Sequence, residues 1–115
     1  MKMKIITKTL SLVELKEMTA ATFGDMVKAV VDIERGLLAV DAELHSDLEA
    51  ALLQDGSKQK NLWGINLYPE TLDEDFIEFD SLINVRPSQG NRSRGVQDEG
   101  LRRRIAEIVD QRVPR

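Results

Sequence analysis

Hydrophobic positions along the chain follow two periods, 3.6 and 2, and the switches between them mark out the elements. Met3 to Ile6 predicts a short first strand. Ser11-Leu12-Val13-Glu14 is a capping box, in which the serine accepts from the third helical amide and the glutamate reaches back. The helix it opens carries Leu12, Leu15, Met18, Thr22 and Phe23 on one stripe, and Gly24 stops it. From residue 26 to 42 the period drops to two: Val27, Ala29, Val31 and Ile33 share one face, Lys28, Val30 and Asp32 the other. Glu34-Arg35-Gly36 supplies a turn and Leu37 to Asp41 runs back, which predicts a hairpin. A second capping box, Ser46-Asp47-Leu48-Glu49, opens a helix with Leu48, Ala51 and Leu52 inward and Gly56 at its end.

Leu62 to Tyr68 reads as a strand, with Trp63, Ile65 and Leu67 on one face and Asn66 and Tyr68 on the other. Pro69 and an acidic turn through Asp75 break it. Phe76 to Arg86 reads as a long partner strand, apolar at Ile77, Phe79, Ile83 and Val85 and polar at Glu78, Asp80, Asn84 and Arg86. A loop from Pro87 to Gln97 leads to a last helix near Asp98, with Leu101, Ile105, Ile108 and Val109 at helical spacing. The order β-α-β-β-α-β-β-α predicts an α+β fold. Its mostly antiparallel sheet would have four to five strands, with about three helices packed on one face and a polar face left over. The first six elements match the ferredoxin-like order βαββαβ.

With 115 residues the chain reads as a single domain, 1–115. No apolar run approaches the roughly 18 residues of a membrane span, so no membrane partner is read. Met1-Lys2-Met3-Lys4 is followed by too short an apolar stretch for a signal peptide, which predicts a cytoplasmic protein. Zero cysteines and one histidine exclude disulfides, thiolate zinc, thiol nucleophiles and a multi-histidine metal site within one chain. No metal-ligand set and no cofactor motif is found.

Charge changes the picture more than composition does. Residues 1–85 hold eight Lys/Arg against sixteen Asp/Glu, whereas residues 86–115 hold eight Arg, no Lys and four acids. Arginine grips phosphate or carboxylate with a planar fork, so the C-terminal quarter is where recognition of an anion would sit. The candidate segment is Arg86-Pro87-Ser88-Gln89-Gly90-Asn91-Arg92-Ser93-Arg94-Gly95. Glycine-freed amides and the next helix N-terminus would cradle an anion that the arginines clamp. Arg86, Ser88, Gln89, Asn91, Arg92 and Arg94, with Asn66 and Asp80 on the adjoining sheet face, are the candidate ligand residues, and a nucleotide or RNA phosphate is the candidate partner. The competing reading is that Arg86, Arg92 and Arg94 pair with acids of the protein itself or of a second subunit in a homodimer. An enzyme reading assigns Glu78 and Asp80, roughly 7 Å apart by strand rise, to metal or general-base work. His45 would be its acid, and Arg92 or Arg94 would stabilise phosphate charge. His45 reads equally as a helix-entry residue with a local partner.

The strings from Lys28 to Glu34, Glu43 to Asp47, Asn61 to Pro69, Phe76 to Ser81 and Arg86 to Val96 together resemble a small uncharacterised prokaryotic family, a domain of unknown function. The resemblance covers nearly the whole chain. It implies a stand-alone cytoplasmic domain and brings no catalytic or binding residue with it.

Overall fold

The computed structural model describes residues 3–115; Met1 and Lys2, part of the charged N-terminal string, lie outside them. The fold is α+β, in the order expected. It comprises β1 (Lys4–Ile6), α1 (Leu12–Ala21), β2 (Val27–Asp32), β3 (Leu37–Val40), α2 (His45–Gln54), β4 (Leu62–Leu67), β5 (Ile77–Glu78) and α3 (Glu99–Arg112). The strands form one sheet in the order β1-β3-β2-β4-β5, with every pair antiparallel. The serine half of the capping box at α1 forms: Ser11 Oγ accepts from the Glu14 amide at 3.1 Å, while the Glu14 carboxylate accepts from the Ser11 hydroxyl at 3.2 Å and not from the N-cap amide. Gly36 turns the β2–β3 hairpin at φ +67. The buried Asp32 carboxylate fixes that turn, accepting from the amides of Glu34 and Arg35, each at 2.9 Å, and from Ser57 Oγ at 2.6 Å.

The strand order departs from the ferredoxin-like one, because β4 pairs with β2 and not with β1. This moves a helix. The connections β1-α1-β2 and β3-α2-β4 each pass over one strand and travel the same way across the sheet, but β1 and β3 are antiparallel. Right-handed crossovers, the near-universal kind, then place α1 and α2 on opposite faces. The core clusters agree. Leu15 and Met18 of α1 and Ile105, Ile108 and Val109 of α3 pack with Val27, Ala29, Val31, Trp63, Ile65 and Leu67. Leu48 and Leu52 of α2 pack instead with Val30, Leu37, Ala39 and Leu62. The helices are therefore divided between the faces, and the sheet is not left with one polar side.

The predicted long strand over 76–86 is the second difference. Pairing stops at Glu78, and the chain turns through two short 3₁₀ segments, Leu82–Asn84 and Pro87–Gln89. Side chains from this segment then seal the edge of β4 in place of a backbone. Asn84 Oδ1 accepts from the Gly64 amide at 2.8 Å and its Nδ2 donates to the Gly64 carbonyl at 2.9 Å, while Arg86 donates to the Leu62 carbonyl. An exposed row of unpaired strand groups is a template for aggregation, and this arm removes it.

Candidate functional site

The candidate loop residues divide into groups. Arg86 lies against β4, its ring partner Trp63 at 4.5 Å, and donates to the carbonyls of Ile83 (2.9 Å) and Gln59 (3.0 Å) as well as Leu62. Burial lowers its pKa from the ordinary value, an effect the Glu49 charge opposes. Asn91 is buried and organises the loop: it donates to the carbonyls of Asn84 (2.7 Å), Ser93 (3.1 Å) and Gly95 (2.8 Å) and accepts from the Gln97 amide (2.9 Å). Ser88 and Gln89 sit in the second 3₁₀ turn, with Gln89 Nε2 donating to the Lys60 carbonyl at 3.1 Å. Arg92 is exposed, its backbone amide bonded to Gln97 Oε1 at 3.1 Å.

Arg94, Asp80 and Asn66 do come together. Arg94 Nε meets Asp80 Oδ1 at 2.7 Å, and Asn66 Nδ2 reaches Glu78 Oε1 at 2.8 Å and the Asp80 carbonyl at 3.3 Å. Tyr68 adds its hydroxyl to Glu78 Oε1 at 3.0 Å, and its pKa is pushed up to about 12 by burial and by that carboxylate. In register, Lys28 lies opposite Asn66 and Asn66 opposite Glu78, a row crossing three strands on the face that α2 covers. Asp32, Asn84 and Arg86 do not join this row. Among the described residues no three His, Asp or Glu side chains gather to hold a metal ion.

Beside the row begins α2. The predicted Ser46 cap is displaced: the N-cap is Leu44, with no side chain capping the helix, and His45 is the first helical residue. The reason is His45 itself, which is 7% exposed and donates from Nε2 to the Ile65 carbonyl at 2.8 Å, drawing the first turn onto β4. With Nε2 bound to a carbonyl, that nitrogen carries the proton. Burial keeps the imidazole below its ordinary pKa of 6.5 despite the Ile65 bond. Ser46, freed from capping, lines a depression of about 260 Å³ with Lys28, Leu44, His45, Ser81, Leu82, Ile83 and Arg94. Two cationic residues, two serines and the first turn of α2 thus border one space, with Arg94 paired to Asp80. The larger cleft along β5, about 860 Å³, is lined by Tyr68, Glu74, Asp75 and Glu78 with Arg102, the wrong charge balance for an anion.

Of the residues that line this depression, the sequence reading names Arg94 as a candidate ligand residue and does not name Lys28, Ser46 or Ser81. The signal for Lys28 was present, as a cation interrupting the apolar run from Val27 to Val31. Ser46 was hidden by its match to a cap, and Ser81 by its apparent place within a strand.

A family described as "Protein of unknown function (DUF5674)" matches residues 4–112. No curated protein matches the chain, and no solved structure does.

Proposed function

The chain belongs to the DUF5674 family, whose function is unknown, and we propose that it is a binding module for a phosphate group carried by a nucleotide or an RNA backbone. The observation that carries this reading is the convergence of Lys28, Arg94, Ser46, Ser81 and the N-terminus of α2 on one depression. A helix N-terminus presents unpaired amides and a partial positive charge, and the two cations add to it. At about 260 Å³ the space is below the usual range for a whole organic ligand, so it takes the anionic group while the remainder lies across the surface. Arg94 keeps its expected role, Asp80 positions it, and Asn66 supports the segment that bears Asp80. Calorimetric titration with inorganic phosphate, ATP and a short single-stranded RNA tests this. Binding that weakens with salt and is lost in Lys28→Gln/Arg94→Gln supports the reading; binding indifferent to both substitutions rejects it.

A second reading, self-association, has its own observation. Leu44, Leu82 and Val85 are 57%, 70% and 41% exposed, and the first two border the same depression. Light scattering decides it: a dimer that dissociates in Leu44→Ser/Leu82→Ser supports it, and a strict monomer at high concentration removes it.

A further inference from the structure

His45 stands in the wall of the depression beside α2, with Lys28, Ser46, Ser81 and Arg94. Its Nε2 donates to the Ile65 carbonyl in the neutral ring and keeps that bond in the charged one, so a second proton enters at Nδ1 without breaking a contact. Nδ1 has no hydrogen-bond partner among the described residues, and the partnerless side-chain atoms sealed from solvent belong to Asp41, Glu49, Trp63 and Asn66. The ring is thus fixed in the wall by one nitrogen, with the other left to titrate.

The charges that face it come from β2 and from the arm after β5. Burial opposes a charge on the ring most, Lys28 and Arg94 oppose it further, and Asp80 favours it. The acids beside it in the chain, Glu43 and Asp47, are exposed. An anion seated by Lys28 and Arg94 reverses this balance, because it offsets both cations and adds a negative charge beside the imidazole. We propose that His45 makes this depression a proton-linked site, one that holds a dianion more tightly once the imidazole is charged. The inference rests on the anion reading of the same depression and adds its regulation. Linkage is reciprocal: the factor by which protonation raises affinity for the anion is the factor by which the anion raises affinity for the proton. Such a site gains affinity as pH falls towards and below about 6.5 and loses it as pH rises.

His45 is the single histidine of the chain, so its imidazole Cε1 proton is identified without ambiguity by NMR. Sulfate is the probe, since it stays a dianion from about pH 5 to 8, whereas phosphate titrates within that range. Ionic strength is held constant with sodium chloride, so that screening of Lys28 and Arg94 is the same in every sample. Saturating sulfate is expected to raise the His45 midpoint by about one pH unit, and sulfate to bind about tenfold more tightly to the charged form. Lys28→Gln/Arg94→Gln should lose that rise. His45→Gln, whose amide can still donate to the Ile65 carbonyl, should bind sulfate with an affinity that no longer follows pH. Sulfate-induced amide shifts at Leu44 to Asp47 with an unmoved His45 midpoint overturn the inference and leave the anion reading standing, as does a midpoint rise that persists in the double variant. No sulfate-induced shift at these amides at any pH overturns both.

Discussion

Gly64 is dictated by two neighbours. A Cβ placed there would stand 2.5 Å from Ser81 Cβ and 3.2 Å from His45 Cδ2, because the arm after β5 and the first turn of α2 both press on the centre of β4. Gly64→Ala is expected to cost about 1–3 kcal/mol in urea denaturation, as overpacking does. Ser81→Gly in the same chain should return part of it, and a Gly64→Ala protein as stable as wild type would show that the arm does not sit on the strand. His45 gives a pH dependence. Its folded pKa lies below the ordinary 6.5, so the unfolded chain takes up a proton first. Stability is therefore highest above about pH 6.5 and falls as pH drops through the window below it. Thermal melts across that window should show the slope in wild type and lose it in His45→Gln, whose amide can still donate to the Ile65 carbonyl. An identical slope in the variant would assign it to other groups.

At the scale of elements, the arm from Phe79 to Gln97 is held by amide side chains more than by strand pairing. Asn84 satisfies both backbone groups of Gly64 and donates to the Arg94 carbonyl at 2.9 Å. Asn84→Ala leaves buried polar groups unmatched, and a loss of about 2–4 kcal/mol is expected, with faster hydrogen exchange at the Gly64 amide. Unchanged exchange there would contradict the edge-sealing role. The same residues explain what was legible in the sequence. Alternation in 27–40 and 62–67, the capping box at Ser11 and the stripe of α3 are local patterns, and each element appears where its period predicts. Glu78, Asp80, Asn84 and Arg86 also alternate, but the pattern that imitates a strand is produced by Asn84 and Arg86 reaching sideways to β4 from a 3₁₀ path. Periodicity cannot tell a side chain that leaves a sheet from one that hydrogen-bonds to its edge. Nor does it show that β4 lies beside β2, the single fact that sends α2 to the opposite face.

Across the whole molecule, much of the arginine-rich quarter ties distant segments together. Arg112 donates to the carbonyls of Gly36 (2.8 Å), Thr7 (2.6 Å) and Lys8 (3.1 Å), and Arg104 to that of Ile33 (3.2 Å). Arg102 stacks on Phe79 at 4.6 Å and Arg115 on Phe76 at 4.3 Å. Arg112→Met should lower stability by about 1–2 kcal/mol, whereas exposed Arg103→Met should stay within about 0.5 kcal/mol. Equal effects on thermal unfolding would contradict the distinction. The segregation of arginine that pointed to an anion thus has a structural cause for several of its members, and the anion reading rests on Arg94 joined by residues far from it in sequence.

The most direct test of that reading is a residue-resolved amide NMR titration with inorganic phosphate. Phosphate held beside α2 should give shifts centred on Leu44 to Asp47, Ser81 and Arg94, fading as salt rises and absent in Lys28→Gln/Arg94→Gln. Shifts confined to Arg86 through Arg92, or a spectrum that phosphate leaves unchanged, would contradict it.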